Sequence, residues 1–206
     1  MQEDWEMLLR TKELFDLLEP ALDERKQEIE EKLEILFEQS KSDFGKRLIV
    51  AIEKCESQAK LLQKQNKKGE SRLVCITFLI SDMLNGEYNL QISLHDQRSL
   101  IDDTECVADF TYTPIGQIFE QEITFYHDYL YSKALFFHSY EITLLKQELL
   151  YLLYDWVKAY FIRLFSDLDF LTIWTSSNLP QLDEVSYGYY LNNQQSIFSI
   201  LRGETK

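Results

Sequence analysis

Four side chains, His127, Asp128, His138 and Glu141, come nearest to a metal-binding set in this sequence. Imidazole and carboxylate are the groups a catalytic zinc or manganese ion uses, and ligands on a helix need a spacing of three or four residues to share a face. His138 and Glu141 have that spacing. His127 lies eleven residues before His138, and no H-E-x-x-H pattern occurs. A surface histidine beside a helix junction is the better account, and a metal-dependent hydrolase using these four residues is kept as the alternative function.

Asp102, Asp103, Glu105 and Asp109 form a second carboxylate group, of the kind that holds calcium or magnesium when a turn arranges several oxygens. No Asp/Gly loop accompanies them, so a solvated acidic loop is expected. Nucleophilic chemistry has no signature either: G-x-S-x-G and S-x-x-K are absent, and Cys75 falls in a run that reads as a buried strand. The 6 glycines stand apart and build no phosphate-cradling loop. The missing motifs lean against an enzyme, although two carboxylates paired in space for acid/base catalysis would leave no such spacing, and no cofactor is expected.

Charge says more than motifs. The formal net charge is -14, and between Asp82 and Asp128 ten carboxylates face one base, Arg98. Such a field repels phosphate backbones and anionic lipid and attracts cationic surfaces. Nucleic acid and membrane are disfavoured as partners; a protein with a basic surface is favoured. The one basic stretch runs from Lys41 to Arg72, with nine bases against four acids. Its cations fall opposite the apolar stripe Phe44, Leu48, Ile52, Cys55, Ala59 and Leu62, as on any solvated helix, and no aromatics are interleaved as a nucleic-acid surface would require.

These residues need elements to position them. Leu8, Phe15, Leu22, Ile29 and Leu36 recur every seven residues, joined by Leu18 and Leu33. With Pro20 as a breaker, the spacing predicts helices over about 3–18 and 20–39, and a third from a cap at Ser42 or Asp43 to Gly69. The helices are expected to pair as a hairpin or three-helix arm, or with a second copy of the chain in a homodimer.

Near Ser71 the period changes from helical to alternating. Arg72–Ser81 is apolar on both faces, Asn85-Gly86 marks a hairpin turn, and residues 87–95 and 105–112 alternate cleanly. Phe119, Gln121, Ile123 and Phe125 suggest a fourth strand. The outward side chains of this sheet would be Glu87, Asn89, Gln91, Ser93, His95, Glu105, Asp109, Glu120 and Glu122. Residues 128–168 return to helix, and Asn192-Asn193 joins short strands at 185–191 and 195–201. Trp174, Tyr187, Tyr189 and Tyr190 either close the core or form a recognition patch.

The fold class expected is α+β: an N-terminal helical hairpin or three-helix arm (1–69), then an α+β domain (70–206) with a four-stranded antiparallel meander, two packed helices and a C-terminal β-hairpin. Cys55, Cys75 and Cys106 are odd in number and far apart, as in a reducing compartment. Met1–Glu6 lacks the regions of a signal peptide, so a cytoplasmic location is expected. The function expected is a non-enzymatic protein–protein interaction module with an acidic surface, of the inhibitor, immunity or scaffold kind.

Overall fold

Apolar residues recur at three- and four-residue spacings from Leu8 to Leu62, and in the computed structural model they fall on one helix, α1 (Gln2–Lys64), 63 residues long. The structure describes residues 2–96, 104, 106–133, 139–177, 179, 182–189, 192–199 and 204–205. The expected hairpin or three-helix arm is corrected to this single rod, about 95 Å long at 1.5 Å per residue.

Pro20 lies inside α1 and does not end it. Its ring removes one hydrogen bond and crowds the preceding turn, at a cost of about 3 kcal/mol. The turns on either side are held by burial of Leu14, Leu18 and Ala21, while Pro20 faces solvent, where water can satisfy the freed carbonyl. Nor do Ser42 and Asp43 cap a new helix: Asp43 pairs with Arg47 one turn on, at 3.0 Å. At Gly45 a side chain could not be accommodated, since a Cβ there would sit 2.6 Å from the Phe170 ring.

The remaining elements are β1 (Leu73–Phe78), α2 (Ile80–Leu84), β2 (Asn89–His95), β3 (Cys106–Thr111), α3 (Thr113–Lys133), α4 (Ser139–Leu164), α5 (Leu168–Ser176), β4 (Glu184–Tyr189), β5 (Asn192–Ser199) and β6 (Glu204–Thr205). Together they make a mixed α+β fold. The sheet order is β3-β2-β1-β4-β5-β6. β1, β2 and β3 form an antiparallel meander, with Ile76 opposite Ile92 and Ile92 opposite Ala108. β4 then lies parallel to β1, pairing Ile76 with Tyr187, and β5 returns antiparallel. The C-terminal strands thus belong to the same sheet, and Asn192-Asn193, expected to join them, are instead the first residues of β5.

The fourth strand of the expected meander is corrected as well, because residues 119–125 lie inside α3. The two-residue alternation there belongs to a longer helical pattern, in which Ile115, Phe119, Glu122, Ile123, Tyr126 and Leu130 are the buried face. Pro114 sits in the first turn, where a missing N–H is tolerated. Glu120 and Glu122 therefore leave the proposed acidic sheet face altogether.

Val74, Ile76 and Phe78 of β1 and Leu90, Ile92 and Leu94 of β2 share one apolar cluster with Phe44, Leu48, Ile52, Cys55 and Ala59 of α1. Phe44 meets Phe110, Tyr112, Tyr160 and Phe161 edge-on or tilted at 4.4 to 5.2 Å. On the same side Tyr154 of α4 packs against Phe78, Tyr187 and Tyr189. The N-terminal half of α1 continues beyond the sheet and packs on α3 and α4. Arg10 reaches Glu141 near the start of α4 and Glu34 pairs with Arg163 near its end, so α1 and α4 run in the same direction. α3 runs against both, since Ser40 meets Tyr112 just before α3 and Arg25 meets Glu122 farther along it.

Replacing Pro20 with alanine restores a backbone donor without touching the core. P20A is expected to stabilise the fold by about 1–3 kcal/mol, read as a rise in the chemical-denaturation midpoint at unchanged slope. A fall would show that the fold requires the irregularity.

Candidate functional site

Between α1 and α4 the two parallel helices leave a groove of ≈ 540 Å³. The α1 wall carries Glu19, Leu22, Asp23, Lys26, Ile29, Glu30 and Leu33, and the α4 wall carries Tyr151, Leu152, Asp155, Trp156 and Ala159. Steps of one, three and four residues place each set on one helix face. From α3, Tyr126 also lines the groove. Its side chain is 1% exposed, and its hydroxyl is one of the buried polar atoms without a hydrogen-bond partner. Leaving such a donor unsatisfied costs about 1–3 kcal/mol.

Beside Tyr126, one turn earlier on α3, lies Glu122, also 1% exposed. Arg25 grips it with two hydrogen bonds, Nε to Oε2 at 2.5 Å and Nη2 to Oε1 at 2.7 Å, while Lys32 Nζ donates to Oε1 at 3.2 Å. The Arg25 guanidinium also lies 4.0 Å over the Phe125 ring and pairs with Glu28 at 3.0 Å. Hydrogen bonding to Glu122 raises the pKa of Arg25, and hydrogen bonding to Glu28 raises that of Lys32. Burial, reinforced by the Glu122 charge, pushes the Tyr126 phenol up to about 12.

The rim differs in kind from this interior. Glu19, Asp23, Glu30 and Asp155 line the groove with Lys26 as the one cation among the lining residues, and none of the four carboxylates forms an ion pair among the described residues. Leu22, Ile29, Leu33, Leu152, Trp156 and Ala159 supply the apolar surface between them. A groove of this build is suited to holding an apolar ligand face flanked by cations. It contains no nucleophile paired with a base.

The metal set of the sequence is not gathered there. His127 Nδ1 lies 3.1 Å from Asp128 Oδ1 on α3. Glu141, 1% exposed, accepts a hydrogen bond from Arg10 Nε at 2.7 Å, and His138 lies outside the described residues. Among the described residues no group of three or more His, Cys, Asp or Glu is arranged to hold a metal, which argues against the hydrolase alternative. Of the second carboxylate group, Asp109 is exposed on β3, and Asp102, Asp103 and Glu105 lie outside the described residues. Ser93 and His95, two apart on β2 and so on one face, bring Oγ and Nε2 to 3.0 Å; both are buried and neither lines the groove.

The basic stretch from Lys41 to Arg72 lies partly against its own chain, with Lys41 on Asp167 at 2.9 Å and Lys68 Nζ on the Thr104 carbonyl at 2.8 Å. Trp174 and Tyr187 close the core, the latter donating its hydroxyl to the Tyr154 carbonyl at 3.1 Å; Tyr189 stacks on Tyr154 at 4.6 Å, and Tyr190 lies outside the described residues. No helix, among the described residues, is long and apolar enough to cross a membrane. Compared with known proteins, the chain matches no family model, no curated protein and no solved structure.

Glu122→Ala would leave Arg25 and Lys32 with the exposed Glu28 alone, at about 1–3 kcal/mol; Tyr126→Phe, which removes an unpartnered hydroxyl, is expected to be neutral or mildly stabilising. Denaturant titration of both variants checks this, and equal losses would contradict the assignment. Alkali gives a second test. Burial pushes Cys55 to about 12 and Cys75 to about 11, alongside Tyr126 at about 12. The unfolded chain releases these protons nearer roughly 8.5 for a thiol and 10 for a phenol. The native state therefore holds protons that the unfolded one loses, and stability declines as pH rises above about 8.5 towards 12. A thiol reagent at mild alkaline pH should leave the 3 buried cysteines untouched until denaturant is added; prompt labelling of the native protein would contradict this.

Proposed function

We propose that this chain is a non-enzymatic protein–protein interaction module, of the inhibitor or scaffold kind, whose acidic face covers a basic surface on a partner protein in the cytoplasm. The observation that carries the reading is the groove between α1 and α4, where four carboxylates that form no ion pair among the described residues border an apolar floor. Like charges held side by side repel, and a cationic partner relieves that repulsion as it docks. The net charge of -14 extends the same attraction beyond the groove and speeds encounter with such a partner.

Immobilised protein should capture a partner at low ionic strength and release most of it at high ionic strength, because exposed charges are screened beyond roughly a Debye length of 8–10 Å. Reversing Asp23, Glu30 and Asp155 to lysine is expected to slow association about tenfold or more, whereas Asp109→Lys on β3 leaves it unchanged. A partner that remains bound at every salt concentration and tolerates the triple reversal would exclude the electrostatic reading.

A further inference from the structure

We propose that the partner element received by the groove is an amphipathic α-helix with basic flanks, which lies along α1 and α4 as the fourth helix of a bundle. This rests on the reading of the chain as an interaction module and adds the shape of what is bound. Both walls are helix faces, and a helix laid along the seam between them would pack its ridges into the grooves of α1 and α4. Along α1 the lining runs from Glu19 to Leu33, about 21 Å at 1.5 Å per residue, or roughly four turns of an occupant.

Chemistry follows the same geometry. Leu22, Ile29 and Leu33 on one wall and Leu152 and Trp156 on the other match an apolar stripe recurring at three and four residues. Glu19, Asp23 and Glu30 on the first wall and Asp155 on the second stand where lysines or arginines bordering that stripe would arrive, the arrangement by which flanking charges select partners in coiled coils. Tyr126 provides an independent sign of a missing neighbour: a hydroxyl on a side chain 1% exposed, lining the groove, without an acceptor. A second copy of this chain is a poorer fit. The apolar stripe of its basic helical stretch, Phe44, Leu48, Ile52, Cys55 and Ala59, is already buried in the chain's own core.

The test uses the full chain and labelled synthetic peptides of about eighteen residues, long enough for four turns. One carries leucines at helical three- and four-residue spacing with lysine flanks; a second has the same composition with the leucines scattered; a third has glutamate flanks. Fluorescence anisotropy should report binding of the first alone, with a gain of helical circular dichroism on mixing. Ala159→Trp, which fills an exposed position of the groove, should weaken it at least tenfold without altering the unfolding midpoint. Equal binding of the scattered peptide without helix formation would overturn the helical occupant while leaving the acidic-surface reading intact. Binding unaffected by Ala159→Trp would overturn the location. If no peptide binds while the chain still captures a salt-sensitive partner, the helix inference alone falls; if capture fails too, the interaction reading falls with it.

Discussion

A carboxylate as buried as Glu122 is tolerable only with cations in contact, and both Arg25 and Lys32 come from α1. That requirement fixes the rotation and the height of α1 on α3, because two residues seven apart must reach one side chain. The guanidinium, held flat over Phe125, adds an orientation that a lysine could not provide. Once α1 is set this way, Leu14, Leu18 and Ala21 point into the bundle and Leu22, Ile29 and Leu33 come to line the trough facing α4. The ion pair thus helps to set which face of α1 borders the groove.

The same constraint explains how a helix survives a proline. Propensity alone argues for a break at Pro20, and the cost of an interior proline exceeds what most single contacts return. Tertiary burial on both sides of it, together with the Arg10–Glu141 pair one way and the Arg25–Glu122 pair the other, exceeds that cost. Local rules describe what a segment prefers; here the long-range pairs, 131 and 97 residues apart, decide.

How much was legible follows from this distinction. The change of period near Ser71 and the strands β1 to β3 were readable, from the apolar run of β1 and the alternation of β2 and β3, whereas α2 over Ile80–Leu84 and the place of the C-terminal turn were not. Phe119, Gln121, Ile123 and Phe125 misled because alternation over four positions also fits a helix face, and Ile115, Tyr126 and Leu130, which settle the period, lie outside that window. The heptad leucines of the groove were visible, but their destination was not: Leu22 and Leu33 are partly buried beside a trough, whereas Leu18 on the same stripe is fully enclosed. Nothing in the spacing of Asp155 and Trp156 tied them to Glu19 and Glu30, because the two walls come from helices far apart in the chain. Ser93 and His95, by contrast, shared a face in any reading of β2, and burial was the information lacking.

The division of labour among the carboxylates argues for recognition over chemistry. Those inside the fold have donors: Glu122 from Arg25 and Lys32, Glu141 from Arg10 and Glu56 from Ser71, and the half-exposed Glu120 accepts from Lys146 and Tyr88. A catalytic acid or base would need to keep its proton exchangeable at a site that substrate can reach, and these are instead fixed by hydrogen bonds or sealed from solvent. The groove carboxylates have the opposite character: they are accessible, form no ion pair among the described residues, and stand three on the α1 wall and one on the α4 wall. Groups arranged in that way exert a field along a line some four turns long, which orients a rod-shaped cation far better than it activates a single bond.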